Sequence, residues 1–73
     1  MIEIIVNDRI GHKERIKVNE DDTIGDVKIL VAFKIGTRPE RIRLQIANKV
    51  LVDSVTISDY EIHQGTQIDM SYD

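Results

Sequence analysis

The apolar residues of this 73-residue chain change their period twice, from two to the helical repeat and back, and that switch limits the fold more than any other feature. Ile2, Ile4 and Val6 alternate with Met1, Glu3 and Ile5, as a strand with one buried face requires. Asn7-Asp8-Arg9-Ile10-Gly11 supplies turn chemistry, and Lys13-Glu14-Arg15-Ile16-Lys17-Val18 alternates again, so the two runs predict a β-hairpin with Ile16 and Val18 inward. Thr23 followed three residues later by Asp26 is a capping-box start. Ile24, Val27, Val31 and Ile35 then recur at helical spacing, Lys34 suits the negative end of the dipole, and Gly36 is placed for a left-handed cap ahead of Pro39. At roughly 100° per residue those four share one stripe with Leu30 at its edge, whereas Ile29 and Phe33 project to the other side.

Period two returns beyond Pro39. Arg41-Ile42-Arg43-Leu44-Gln45-Ile46 marks a third strand, Ala47-Asn48-Lys49 a turn, and Val50-Leu51-Val52 a short strand. Thr56-Ile57-Ser58-Asp59-Tyr60 is too short and polar for a full helix and predicts a single turn fixed by Asp59 and Tyr60. A last strand spans Thr66-Gln67-Ile68-Asp69-Met70-Ser71-Tyr72, with Ile68 and Met70 inward. The expected class is α+β, a single domain over residues 1–73 without repeats or linkers.

This size is near the lower limit at which one apolar core offsets conformational entropy unaided, and the absence of cysteine removes disulfides and thiolate metal sites. The net charge of -3 is spread over both signs, with no like-charge block longer than Glu20-Asp21-Asp22, which argues against nucleic acid. Arg38, Arg41 and Arg43 lack interleaved aromatic residues and make a poor RNA surface. No apolar run is long enough to cross a bilayer and no signal peptide is read, so no membrane partner is expected. His12 and His63 have no evident orienting partner near them in sequence, and no nucleophile, base and orienter set can be assembled, so no enzyme activity is expected. Asp21, Asp22 and Asp26 fall short of a calcium loop, and no phosphate-binding glycine loop is present; no metal or cofactor is expected.

The order of elements, with Asp22-Thr23-Ile24, Val27-Lys28, Gly36, Pro39, Leu44, Leu51 and Ser58-Asp59-Tyr60 as landmarks, resembles the β-grasp fold of ubiquitin over essentially the whole chain. That implies a mixed sheet of about five strands packed on one helix. Met1-Ile2-Glu3, Val6-Asn7-Asp8-Arg9, Gly11, Asp21-Asp22-Thr23-Ile24-Gly25-Asp26, Gly36-Thr37 and Asp59-Tyr60-Glu61-Ile62-His63 resemble more closely the Hub family, whose name abbreviates "homologous to ubiquitin".

The resemblance implies a non-covalent binding module of the nucleus and cytoplasm, monomeric, that captures short amphipathic helical elements of spliceosomal tri-snRNP proteins and modulates pre-mRNA splicing. The family's partner-binding carboxylate matches Asp22, expected to pair with an arginine of the helical element. Ile29 and Phe33, with Gly25 and Ala32 as small flanking residues, are expected to floor a shallow groove beside it. Those two apolar positions depart from the family, as does Ser71-Tyr72 where a tyrosine pair is usual. The alternative readings are a covalently attached ubiquitin-like modifier, for which Met70-Ser71-Tyr72-Asp73 offers no di-glycine tail, and a diverged or engineered β-grasp scaffold without the splicing partner. Arg9, Gln45 and Ser71 occupy the positions of ubiquitin's apolar contact patch, so ordinary ubiquitin receptors are not expected to bind.

Overall fold

The computed structural model describes all residues, 1–73. Strands β1 (Ile2–Asn7) and β2 (Lys13–Val18) form the hairpin, paired from Ile2 opposite Val18 to Asn7 opposite Lys13. Helix α1 (Ile24–Ile35) follows, then a 3-10 turn at Pro39–Arg41, strands β3 (Ile42–Ile46) and β4 (Lys49–Val50), and finally β5 (Gln67–Tyr72). The sheet order is β2-β1-β5-β3-β4. β1 and β5 run parallel at its centre, and the other pairs are antiparallel. This is the ubiquitin-like β-grasp architecture.

Each boundary of α1 has a local cause. The Thr23 hydroxyl accepts from the Asp26 amide at 3.2 Å while Asp26 Oδ2 accepts from the Thr23 amide at 3.1 Å, which satisfies two otherwise free donors. At the far end Gly36 adopts φ 78°, where a Cβ would be strained, and its amide returns to the Ala32 carbonyl. Residues 53–58 clamp the helix start: the Ile24 and Gly25 amides donate to the Val55 and Asp53 carbonyls, and the Ile57 amide to that of Asp22, each at 2.9 Å.

The core contains no buried polar residue. Ile4, Val6, Ile16, Val18, Ile42, Leu44, Ile68 and Met70 contribute the sheet side, and Ile24, Val27 and Val31 the helix side. Leu51, Ile57 and Ile62 close the open end. Two expectations are corrected. The short strand at Val50-Leu51-Val52 is instead Lys49–Val50, because Ala47 at φ 55° makes a tight turn that sets Lys49 opposite Ile46. The Val52 amide leaves the ladder and donates to the Tyr60 hydroxyl at 2.8 Å. Secondly, Ala32, expected on the outward face, is 2% exposed and belongs to the core. It stands one turn after Lys28, which lies beside Pro39 and Glu40 of the 3-10 turn on the flank away from β2.

Candidate partner-binding surface

The helix has one covered flank and one open flank. On the covered side Lys28 extends its stem under loop 51–58, leaving the side chain 14% exposed, and its ammonium meets the Asp53 carboxylate at 2.6 Å. On the open side Ile29, Leu30 and Phe33 are 56%, 43% and 91% exposed, with no element across them. Asp26 lies on the same side one turn before Leu30, and Asp22 precedes the cap. By the rise of an α-helix, Asp26 and Phe33 stand about 10 Å apart along the axis.

Asp22 is held in place. Its Oδ2 accepts from the Asn19 amide at 2.9 Å, and its carbonyl accepts from Ile57. Oδ1 makes no bond within the chain. Asp22, Asp26, Ile29 and Leu30 line one depression between the end of β2 and the start of α1, together with Met1 and Lys17. Leu30 and Lys17 also belong to an adjoining depression that continues to Phe33 along β2. The open flank is therefore a continuous shallow groove with two carboxylates at one end and the Phe33 ring at the other.

The five residues expected at the site fare differently. Asp22 and Ile29 share a depression, and Phe33 lies in the next one. Gly25 does not join Asp22: it faces Asp53, with Lys28 and Pro39 nearby, and Asp26 and Ile29 lie between the two sides. Ala32 is excluded by burial. Leu30 is the residue missed, because its angular position at the margin of the core stripe looks half-buried until β2 is seen to end the sheet on that side.

Elsewhere, Arg9, Gln45 and Ser71 come together around Asn7, Asp8 and Asp69, a mostly polar surface in which Ala47 and Met70 are the apolar members. His12 Nε2 lies 2.6 Å from Glu14, whose other oxygen is 3.8 Å from Lys34 Nζ. The hydrogen bond to Glu14 and then its charge raise the His12 pKa above 6.5. No three His, Cys, Asp or Glu side chains are grouped to hold a metal ion, and no helix is long and apolar enough to cross a membrane.

Comparison with known proteins agrees with the fold. Residues 5–72 match the ubiquitin family model. The chain is 50% identical over 72 residues to ubiquitin-like modifier hub1 of Schizosaccharomyces pombe, covering 99% of each chain. It is 49% identical to ubiquitin-like protein 5 of Drosophila melanogaster and 43% identical to ubiquitin-like modifier HUB1 of Saccharomyces cerevisiae, again over 72 residues and 99% of each chain. The chain belongs to the ubiquitin family and, within it, to the Hub group of ubiquitin-like proteins. These relatives are small non-enzymatic proteins.

Proposed function

We propose that this chain is a monomeric, non-covalent binding module that receives an amphipathic helix in the groove beside α1. An arginine of that helix meets Asp22 and its apolar face covers Ile29, Leu30 and Phe33. The partner in this reading is the helical element of spliceosomal tri-snRNP proteins, engaged in the nucleus or cytoplasm to modulate splicing. Exposure carries the reading: a phenylalanine 91% open to water, in line with two half-open aliphatic residues and a carboxylate, is a recognition surface rather than scattered apolar atoms.

Covering these three side chains is worth about 4 kcal/mol in all, taking about 2 kcal/mol for the phenylalanine and about 1 for each aliphatic residue. Part of that is lost to ordering the partner, so the expected affinity is micromolar or weaker. Phe33→Lys should weaken binding of an arginine-bearing amphipathic peptide about tenfold, read by calorimetric titration. Its melting temperature should stay nearly unchanged, because the ring contributes almost nothing to the core. Unchanged affinity would remove the groove from the mechanism. A second reading, covalent attachment, is favoured by the word "modifier" in the names of two relatives. Recovery of the chain from cells under denaturing conditions tests it, since only an attached form gains the mass of a target.

A further inference from the structure

The outer edge of β2 offers a second mode of binding, which shares Leu30 and Phe33 with the helix groove but adds the backbone of the strand. Ile5 sends its amide to the Thr66 carbonyl at 3.0 Å, and Glu3 bonds to Gln64 and Gly65, all on the side of β1 away from β2. In an antiparallel ladder the residues opposite them, Arg15 and Lys17, must then direct their own N–H and C=O groups off the sheet. The only bond made there is from Lys34 Nζ to the Arg15 carbonyl, at 3.2 Å. The depression along this edge has an apolar wall on the helix side, from Ile16, Leu30 and Phe33 with Lys34 beside them, and a charged wall on the other, from Glu3, Arg15 and Lys17; Glu3 lies 3.6 Å from Arg15, so the lining keeps an excess of positive charge.

We propose that this edge takes up an extended segment with alternating apolar and acidic residues, added to β2 as a sixth strand. Side chains of a strand alternate between faces, so one set would lie against Leu30 and Phe33 while the other set stands beside Arg15 and Lys17. Its backbone would bond to Arg15 and Lys17, displacing Lys34 from the Arg15 carbonyl and leaving that ammonium beside Glu14. A second copy of the chain is a poor occupant, because β2 against β2 would bring Lys13, Arg15 and Lys17 onto their own likeness. This inference goes beyond the helix-binding reading and does not use Asp22.

The test is a titration of the isotopically labelled chain with the capped hexapeptide Val-Glu-Val-Glu-Val-Glu, followed by amide exchange. Exchange at Arg15 and Lys17 should slow at saturation, and the Val-Lys-Val-Lys-Val-Lys counterpart should bind at least tenfold more weakly. Arg15→Pro removes one edge donor without touching the β1 ladder and should weaken binding tenfold or more. Lys17→Glu should do the same by charge, and serves if the proline variant melts early. Asp22→Asn should not weaken this peptide, which separates the result from the helix-binding reading. Unchanged exchange at Arg15 and Lys17, or equal affinity for the acidic and basic peptides, would overturn the proposal.

Discussion

Asp22 has two separable tasks, and a pair of substitutions distinguishes them. Its Oδ2 accepts from the Asn19 amide at 2.9 Å, which closes the turn leading into α1, while Oδ1 is free for a partner. Asp22→Ala removes both. The lost acceptor costs about 1 kcal/mol for a partly exposed hydrogen bond to a carboxylate, and for a domain of this size that lowers the melting temperature by about 4–8 °C. Asp22→Asn keeps an oxygen of the same reach, so its melting temperature should fall by less than half as much. Binding orders the variants differently. An arginine meeting Asp22 in the groove gains more than a wet surface pair, about 0–1 kcal/mol, and less than a fully dry one. A loss of about 1–2 kcal/mol, or 5–30-fold in affinity, is expected for both variants. The decisive measurements are thermal melts by circular dichroism and calorimetric titration with an arginine-bearing helical peptide at low and high salt. The difference between wild type and Asp22→Asn should shrink with salt, as a partly screened charge pair requires. Wild-type affinity in Asp22→Asn would refute the charge argument, and an unchanged melting temperature in Asp22→Ala would refute the turn argument.

The remaining expectations concern the frame of the groove. Gly25→Ala should raise stability by about 0.5 kcal/mol, since a Cβ there meets the Asp53 carbonyl at an ordinary 3.4 Å and a helical glycine carries excess chain entropy; a lower melting temperature would show that loop 51–58 cannot accommodate it. For His12, folding raises the pKa above 6.5, so its proton is held more tightly in the fold than in the unfolded chain. Its contribution is complete below about pH 6.5 and is lost as pH rises through the raised value. Glu14→Gln should bring the His12 midpoint down in an NMR titration, and an unmoved midpoint would assign the shift to another group.

Local chemistry made the helix legible. Thr23 and Asp26 at capping spacing, four apolar residues at helical spacing and Gly36 leave little choice of boundary, because every signal lies within a turn of what it controls. Pairing of β1 with β5 is different: nothing in the period of Ile2–Asn7 tells that residues 67–69 lie alongside. β4 came out shorter than its apolar run because the competing hydroxyl, that of Tyr60, is eight residues away from the amide it accepts. The site divides the same way. Ile29 and Phe33 followed from angular arithmetic on an isolated helix. Leu30 and Ala32 did not, since their fate depends on which flank the sheet and the 3-10 turn cover. Asp22 stands out only through family resemblance, as a carboxylate before a helix has structural duties enough to explain its presence.

The asymmetry of α1 explains how so small a domain can leave three large apolar side chains in water and still fold. Stability is concentrated on one side, where Val27 and Val31 are fully buried, Ala32 nearly so, and Lys28 spans to Asp53. The other side contributes little to the core, so its residues can change character without dismantling the sheet. An open helix flank next to an unpaired strand edge would ordinarily invite association of copies. Here Lys13, Arg15 and Lys17 line that edge and Asp22 and Asp26 stand at the groove's far end, so two copies approaching edge to edge bring like charges together. The same charges that discourage self-association are complementary to a partner whose own residues are reversed in sign. Neutralising Arg15 and Lys17 together should therefore raise self-association, read by sedimentation, and weaken binding of the acidic strand peptide; an unchanged monomer with unchanged binding would refute the argument from charge.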